Sequence, residues 1–359
     1  MPKNTRNADL HTANKNKNDE FYTQLADIEN EVRHYKSLFQ GKTVLCNCDD
    51  PRVSNFFFYF FAGFHTYGLK KLIATCYKNL NPDLFSQNKD EQAVYCIYDG
   101  KDRVDDVIYN LDEFRKQNKW GMLNGDGDFR TEECIELLKQ ADIVVTNPPF
   151  SLFREYIAQL VEYDKKFLII GNVNAVTYKE VFPLIKENKV WLGASIHSGD
   201  REFGVPDSYP LNAAGFRVDE KGNKFIRVKG VRWFTNLDFK ERHNELTLYK
   251  TYTPKEFPHY DNYDAIEVAK VSDIPKQESY DGVMGVPITF LDKYNPEQFE
   301  IVGIAKRGAG DPALKSKVYT IHDAKNYSDL NAGPVLKTPS GLRNTYPRIL
   351  IRHKKGTSK

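Results

Sequence analysis

The stretch "ADIVVTNPPFS", from Ala141 to Ser151, indicates the fold class of this chain of 359 residues. Its first part is a short apolar run that is typical of a buried strand. Two prolines then follow Asn147, and they fix φ twice and remove two backbone donors, so the strand must end in a stiff loop. The next residues, 151–163, have the apolar spacing of a helix, for which Ser151 is the expected N-cap. A strand, a rigid loop and a helix in this order indicate an α/β protein.

The same alternation extends on both sides of this stretch. Further apolar strands are predicted at 43–48, 70–77, 92–98, 165–172 and 190–196. A helix is expected to open at Asp50, with Pro51 in its first turn, and another helix is expected over 178–189. Apolar strands separated by helices predict a mostly parallel sheet that is covered on both faces.

Beyond Ala194 the pattern changes to turn signals, prolines and short strands. A hairpin is expected around residues 219–223, and "VRWFTNL", from Val231 to Leu237, offers one more strand. From about Glu245 no long helical period is visible, which favours a second domain. The predicted division is an N-terminal basic arm over 1–40, a main α/β domain over 41–245 and a further region over 246–359.

The composition narrows the classes of protein that fit. The net charge is +2, 40% of the residues are hydrophobic, and no apolar run reaches the ~20 residues that span a bilayer. The N-terminus has no apolar core of the kind that signal peptides carry. The five cysteines lack metal-ligand spacing, so reduced thiols in a cytoplasmic protein without a metal site are expected. Both ends are basic, which fits a polyanion partner, and solvated disordered tails are the alternative.

The loop Asn147, Pro148, Pro149 and Phe150 has a specific chemical interpretation. It follows a sheet strand, where α/β proteins bind ligands, and the Asn147 amide oxygen and the Pro148 carbonyl are two acceptors on a rigid frame. Together they can take both hydrogens of an exocyclic amino group and favour a localised lone pair on its nitrogen. Phe150 can stack on a planar ring or face a positive sulfonium. The loop therefore suits methyl transfer to a planar amine; the alternative is a connection that only ends a strand.

At this point the sequence resembles a known family, the S-adenosylmethionine-dependent adenine-specific (N6) DNA methyltransferases, and within it the EcoRI-type modification enzymes. The resemblance spans nearly the whole chain, with the motif order of the gamma group. It is carried by "NKNDEFYTQLADIENE" from Asn16, "VLCNCDDPRVSNFF" from Val44, "GLKKLIATCYKN" from Gly68, "GDGDFRT" from Gly125, "TNPPFSLFREY" from Thr146 and "GVMGVPITFLDKYNPEQFEIVGI" from Gly282. It implies a Rossmann-like class I sheet with one antiparallel strand, "VRWFTNL", and a C-terminal target-recognition domain.

The resemblance also implies S-adenosylmethionine as the cofactor and the residues that bind its methionine end. The N-terminal motif that closes over this end corresponds to Phe21, Tyr22 and Thr23. The loop after the first strand has no glycine, although the family usually shows a glycine-rich turn there; it consists of Asn47, Cys48, Asp49 and Asp50. For the two acids, an ordinary helix N-cap is the alternative.

The resemblance implies further cofactor contacts at two other loops. Cys76 and Tyr77 stand where the family usually has an acid for the ribose, so that acid is missing or comes from elsewhere. Asp128 is expected to accept from the cofactor's adenine, and Phe129 is expected to pack on its ring. A polar turn before a helix is the alternative for "GDGDF".

A DNA substrate adds expectations outside the cofactor site. Adenine in a duplex must be flipped out, so a second aromatic side chain is expected opposite Phe150; Phe203 is the first choice and Tyr209 the second. Packing of a loop onto the core is the alternative for Phe203. Phosphates or guanine edges are expected to meet basic side chains, although solvated surface charge is the alternative for each; the candidates are Lys306, Arg307, Arg343, Arg348 and Arg352.

The sequence thus predicts a site-specific methyltransferase that modifies N6 of a flipped adenine in double-stranded DNA. Such an enzyme is expected to act as a monomer and to protect DNA from the restriction endonuclease of the same restriction-modification system. GAATTC is the first candidate for the recognised sequence, by resemblance. The alternatives are methylation of an RNA base or a glutamine side chain, and a DNA-binding relative that has lost turnover.

Overall fold

The computed structural model describes residues 22–48, 50–52, 54–77, 93–101, 120–205, 215–307 and 314–354. These residues form two compact units. The first unit comprises the described parts of Met1–Val173 and Gly193–Asp238, and the second comprises those of Asn174–Leu192 and Phe239–Lys359. None of the described helices is long and apolar enough to span a bilayer.

The strands follow one another along the chain in this order: β1 Thr43–Cys46, β2 Lys71–Thr75, β3 Val94–Tyr98, β4 Trp120–Met122, β5 Ile143–Thr146, β6 Lys166–Asn172, β7 Trp191–Leu192, β8 Asp200–Gly204, β9 Arg217–Val218, β10 Lys224–Lys229, β11 Val231–Thr235, β12 Ile266–Glu267, β13 Met284–Pro287, β14 Phe299–Ala305, β15 Val335–Thr338, β16 Gly341–Asn344 and β17 Arg348–His353.

The α-helices are α1 Leu25–Val32, α2 Asn55–Ala62, α3 Glu132–Gln140, α4 Phe153–Glu162, α5 Phe182–Lys186 and α6 Tyr327–Leu330. Short 3-10 helices occupy Arg33–Phe39, Phe150–Leu152, Val173–Thr177, Lys240–His243, Val271–Asp273 and Ile288–Lys293. The secondary structure is therefore mixed α/β, as the sequence predicts.

The main sheet of the first unit has the strand order β4-β3-β2-β1-β5-β6-β11. Strands β2, β1, β5 and β6 are parallel neighbours, and β11 is antiparallel to β6, so the prediction for "VRWFTNL" is confirmed. The prediction of a single antiparallel strand is wrong, because β3 also runs antiparallel to β2 and β4 runs antiparallel to β3. An apolar run marks a buried strand without fixing its direction, so the sequence did not reveal the reversal at β3.

Helix α2 packs an aromatic face against this sheet. Its side chains Phe56, Phe57, Phe60 and Phe61 are buried, and the Phe56 ring meets the Trp233 ring edge-on with the centroids 6.0 Å apart. Buried aromatic side chains of this size supply much of the apolar area that stabilises a core. The helix thereby fixes the chain that follows β1.

The helix does not begin at Asp50 with Pro51 in its first turn, and that prediction is wrong. It begins at Asn55, where the Ser54 hydroxyl accepts hydrogen bonds from Phe56 N at 3.1 Å and Phe57 N at 3.3 Å. The Asp50 carboxylate accepts instead from the Arg52 backbone N–H, at 2.9 Å. Ser54 lies one turn closer to the apolar run than Asp50. Its hydroxyl can therefore accept from the first backbone N–H groups of the helix, which have no partner within the helix.

Two other helix predictions also need correction. The helix after Asn147 exists as α4, but a 3-10 turn precedes it, so its N-cap is Leu152 without a side-chain hydrogen bond and not Ser151. The helix predicted over 178–189 is the single short turn of α5, and the strand predicted at 190–196 shortens to β7.

A smaller sheet of the first unit has the order β8-β10-β9. Strands β9 and β10 form the predicted hairpin, in which Lys224 pairs with Val218. Strand β8, in a stretch predicted to be a loop, pairs antiparallel with β10 and places Phe203 opposite Ile226.

The second unit contains a sheet of order β12-β13-β17-β14 and the separate hairpin of β15 and β16. Strand β17 is central, antiparallel to both β13 and β14. Short strands without a long helix are what the sequence predicts for this part of the chain.

Candidate active site

Three loops that the sequence singled out begin at the carboxyl ends of adjacent parallel strands. Asn47 follows β1, Cys76 follows β2 and Asn147 follows β5, and these strands are neighbours in the order β2-β1-β5. The last residue of β5, Thr146, donates its hydroxyl hydrogen to the Asn47 carbonyl. The sheet thus brings the predicted catalytic loop next to the predicted cofactor loops, at the edge where α/β proteins bind ligands.

The Asn-Pro-Pro-Phe loop lies partly inside the protein. Asn147 is only 8% exposed and Pro148 is buried, whereas Pro149 and Phe150 are half-buried. The Leu152 N–H donates to the Pro149 carbonyl at 3.0 Å, which folds the chain back into the turn before α4. The two residues expected to supply acceptors are therefore the most buried part of the loop.

Tyr156 ties these loops together, and no pattern in the sequence marks it as a site residue. Its hydroxyl donates to the side-chain oxygen of Asn47, and its ring meets the Phe129 ring at 5.0 Å between centroids and 78° between planes. Gln159, one turn further on in α4, donates from Nε2 to the Phe129 carbonyl at 3.0 Å. The helical spacing of Tyr156 from Phe153 marks only a buried face and indicates no contact with Asn47.

Gly127 lets the loop after β4 approach the residue after β2. Its φ is +76°, and a Cβ built there would lie 2.0 Å from the Cys76 carbonyl oxygen. Only glycine adopts that φ freely and leaves that space empty. Asp128 and Phe129, which follow immediately, are thereby held beside the end of β2.

The loop after β1 turns at a cysteine. Cys48 has φ +63°, a left-handed conformation that non-glycine residues adopt rarely. Such backbone strain is found most often at functional sites. The next residue, Asp49, lies outside the described residues. Asp50 is held by Arg52, whose Nη2 lies 2.6 Å from Asp50 Oδ2, and this hydrogen bond raises the pKa of Arg52.

Two threonine hydroxyls near these loops are buried without a hydrogen-bond partner among the described residues. They are Thr23 Oγ1 and Thr75 Oγ1, in side chains exposed by 3% and 1%. A buried hydroxyl that makes no hydrogen bond costs about 1–3 kcal/mol, so these atoms fit a polar ligand. Thr23 is fixed by Asn55, whose Nδ2 donates to the Thr23 carbonyl at 2.7 Å, and Tyr22 pairs with Gly204 in an isolated bridge. Phe21 lies outside the described residues.

Asp128 and Phe129 have different surroundings. Phe129 is buried. The Asp128 carboxylate accepts from Arg130 Nε at 2.9 Å and Nη2 at 2.6 Å. This hydrogen bond is the main reason that the pKa of Arg130 is raised. Arg130 also contacts Glu155 of α4 at 2.6 Å, so it ties the Asp128 loop to the helix behind the catalytic loop.

Phe203 is 2% exposed on β8. Packing of this segment onto the core accounts for the burial. Stacking of Phe203 on a target base stays a prediction. Tyr209, the second choice, lies outside the described residues.

The basic candidates at the C-terminal end fall into two groups. Four of them, Lys306, Arg307, Arg343 and Arg348, line one groove of about 740 Å³ within the second unit. Arg352 does not line it, and its Nε donates to Glu300 at 2.7 Å. The described residues contain no cluster of side chains that could hold a metal ion, and all five cysteines are unbridged.

The mixed α/β sheet, the polar loops at adjacent strand ends and the Asn-Pro-Pro-Phe loop agree with the resemblance to the adenine-specific methyltransferases. The family model described as adenine-specific methyltransferase EcoRI matches residues 9–354. The chain belongs to this family. It is therefore an adenine-specific DNA methyltransferase of the restriction-modification type.

Three curated relatives show the extent of the similarity. Type II methyltransferase M.EcoRI of Escherichia coli is 53% identical over 311 residues, which cover 85% of this chain and 92% of that protein. M.MgeORF184P of Mycoplasma genitalium is 38% identical over 351 residues, 96% of this chain and 98% of that protein. M.MpnI of Mycoplasma pneumoniae is 39% identical over 316 residues, 86% and 90% respectively. No solved structure gives a significant match.

Proposed function

We propose that this methyltransferase moves a methyl group from S-adenosylmethionine to N6 of an adenine that is flipped out of double-stranded DNA. The observation that carries the proposal is the Thr146–Asn47 hydrogen bond, which joins the start of the Asn-Pro-Pro-Phe loop to the predicted cofactor loop. The buried and rigid position of Asn147 and Pro148 supports their use as preorganised acceptors.

In this proposal the first unit is a Rossmann-like class I methyltransferase domain that binds the cofactor at the carboxyl ends of β1, β2 and β4. The Thr23 hydroxyl, which is buried without a partner among the described residues, binds the methionine carboxylate. The loop from Asn47 to Asp50 holds the rest of the methionine end. Cys76 and Tyr77 lie along the ribose, and Asp128 and Phe129 contact the adenine ring. The bound cofactor supplies an activated methyl group on a positive sulfur.

The catalytic residues act on the amino group of the target. The Asn147 amide oxygen and the Pro148 carbonyl accept its two hydrogens, so that the nitrogen lone pair points out of the ring plane. The nitrogen positioned in this way would take the methyl group from the sulfur of S-adenosylmethionine, and one proton would leave the amino group for solvent. Pro149 keeps the loop stiff, Phe150 covers one face of the flipped base, and Phe203 remains the candidate for the other face.

Recognition of the target is proposed for the region 246–359, with Arg307, Arg343 and Arg348 facing the DNA. The basic groove of the second unit supports this assignment. We further propose that the enzyme acts as a monomer, that a restriction endonuclease is its functional partner, and that GAATTC is the first sequence to test.

Single-turnover methylation of unmethylated duplex DNA by an Asn147→Ala variant tests the catalytic assignment. The rate of methyl transfer is expected to fall about 10²- to 10³-fold, because one preorganised partner of the reacting group is lost, while the dissociation constants for cofactor and DNA stay within a few-fold. Asn172→Ala is the matched control, because Asn172 ends β6, the next strand of the sheet. An Asn147→Ala rate within a few-fold of the wild-type rate would contradict the assignment.

A further inference from the structure

The groove of the second unit is lined by four cations and one carboxylate. The charged lining residues are Glu267, Lys306, Arg307, Arg343 and Arg348. An excess of positive charge in a concave surface attracts a polyanion. On the same groove the Tyr346 ring is 82% exposed, and an exposed ring offers a stacking face to a base or a sugar. The lining therefore suits a nucleic acid better than a small anion.

Arg348 is held more rigidly than the other cations. It is the first residue of β17, the central strand, and lies between Pro287 of β13 and Ala305 of β14. Its Nη2 donates to Glu267 Oε1 at 2.6 Å and its Nε donates to Glu267 Oε2 at 3.3 Å. The two side chains are only 12% and 10% exposed. A paired, largely buried guanidinium of this kind keeps one orientation.

Glu267 is itself fixed from behind. The Tyr260 hydroxyl donates to Glu267 Oε2, and burial followed by the nearby carboxylate raises the pKa of Tyr260 well above its usual value, so the hydroxyl keeps its proton. Gly285 leaves room for this tyrosine, because a Cβ there would lie 2.6 Å from the Tyr260 hydroxyl oxygen. Tyr260, Glu267 and Arg348 thus form a row of buried hydrogen-bonded groups that ends at the groove.

The hydrogen bonds to Glu267 do not use Nη1 of Arg348, whose side chain lines the groove. Both bonds to Glu267 use the side of the group that carries Nε and Nη2. The end that carries Nη1 and Nη2 has another pair of parallel N–H donors. Two parallel donors of this spacing match the O6 and N7 acceptors of guanine in the major groove.

The other three cations are placed differently. Arg343 and Arg307 are exposed, and Arg307 donates to the backbone carbonyl of Ser328. Lys306 Nζ donates to Thr177 Oγ1 at 2.6 Å. Exposed cations on a groove suit phosphates, which position a protein on DNA without reading its sequence.

We propose that Arg348, oriented by Glu267, is a specificity-determining residue that reads one guanine of the target sequence, whereas Arg343 contacts a phosphate. This proposal rests on the proposed function of the second unit in target recognition. Two basic residues of one groove then have different roles: Arg348 recognises a base, and Arg343 binds the DNA backbone.

The test is methylation of a library of duplexes that carry a randomised cassette, with the methylated sites read by sequencing. Arg348→Lys keeps a positive partner for Glu267 but lacks the two parallel N–H donors of the guanidinium. It is expected to lower the preference for one G·C pair about 5- to 100-fold and to leave the other positions unchanged. Glu267→Gln loosens the same guanidinium and is expected to lower the preference at that same pair.

Arg343→Gln is expected to weaken DNA binding equally for all sequences and to reduce the slope of log affinity against log salt by about 1. Arg352→Lys is the matched control, because Arg352 lies on the same strand and pairs with Glu300 outside the groove; it should change neither quantity. Melting temperatures of all four variants show whether they fold.

Three outcomes would overturn the proposal: a wild-type site that requires no guanine, an Arg348→Lys enzyme that keeps every base preference, or variants at 348 and 267 that relax different positions. Absence of any methylation by the wild-type enzyme would instead count against the proposed function. The two failures are therefore distinguishable.

Discussion

The Tyr156 hydroxyl donates a hydrogen bond to the side-chain oxygen of Asn47, and this bond joins the helix behind the catalytic loop to the loop after β1. The same ring packs on Phe129. One side chain thus holds three of the segments proposed to bind the cofactor and to carry catalysis. Tyr156 is a positioning residue in this account.

Removing only that hydroxyl should therefore weaken cofactor binding. Tyr156→Phe keeps the ring contact and leaves Asn47 without its donor, which costs about 1 kcal/mol or somewhat more. We expect the dissociation constant for S-adenosylmethionine to rise about 5- to 10-fold, by calorimetry. Tyr163→Phe, just after the same helix, is the control; equal effects of the two substitutions would contradict the role of Tyr156.

Removal of the buried Thr23 hydroxyl should have opposite effects on cofactor binding and on protein stability. Thr23→Val removes a buried polar atom that lacks a partner among the described residues, so the free energy of unfolding without cofactor should stay the same or rise. Affinity for S-adenosylmethionine should fall about 10-fold, and Thr23→Ser should restore most of it. If the valine variant binds the cofactor as well as the wild type, the hydroxyl does not meet the ligand.

Gly127 and Gly125 provide a matched pair in one loop. A Cβ at Gly127 would lie 2.0 Å from the Cys76 carbonyl oxygen, whereas at Gly125 the nearest atom is Thr131 Cγ2 at 3.9 Å. Gly127→Ala must displace backbone and also adopt a left-handed φ, which costs roughly 1–2 kcal/mol by itself. We expect a lower melting temperature and at least 10-fold weaker cofactor binding, and neither for Gly125→Ala. Similar behaviour of the two variants would show that the approach to Cys76 is unimportant.

His353, the last residue of β17, should make stability depend on pH. Its Nε2 lies 2.9 Å from the Pro275 carbonyl, and burial lowers its pKa below the usual 6.5. Because the folded pKa is depressed, this contribution to stability is complete above pH ~6.5 and is lost as the pH falls through the folded pKa. Urea unfolding should show that the free energy of unfolding declines from pH 8 to pH 5, and that this decline is smaller for His353→Gln. The exposed His322→Gln is the control, and an unchanged decline in His353→Gln would contradict the assignment.

The sequence was most informative where a local pattern specifies local structure. The strand, loop and helix around Asn147 and the hairpin near residue 220 follow from apolar spacing and turn residues. The start of α2 differs from the prediction because Asp50 and Pro51 are good helix openers in isolation, while Ser54 lies one turn nearer to the buried aromatic face. The direction of β3 could not be predicted, because an apolar run indicates a buried strand but not whether that strand is parallel or antiparallel to its neighbour.

Contacts between residues far apart in the chain could not be predicted from the sequence, for a different reason. Glu267 and Arg348 are 81 positions apart, and Tyr156 and Asn47 are 109 apart. Neither pair has a spacing that marks it, so only the folded chain shows that they meet. Cys48 is a similar case: its left-handed φ explains how the loop after β1 turns without a glycine, which no residue type there indicated.

Adenine-specific methyl transfer is tested by incubating the protein with labelled S-adenosylmethionine and unmethylated genomic DNA, then identifying the labelled nucleoside by mass spectrometry. We expect N6-methyladenine with the wild-type protein and almost none with Asn147→Ala, although both bind the cofactor. A label on cytosine N4, or no labelled base despite cofactor binding, would contradict it.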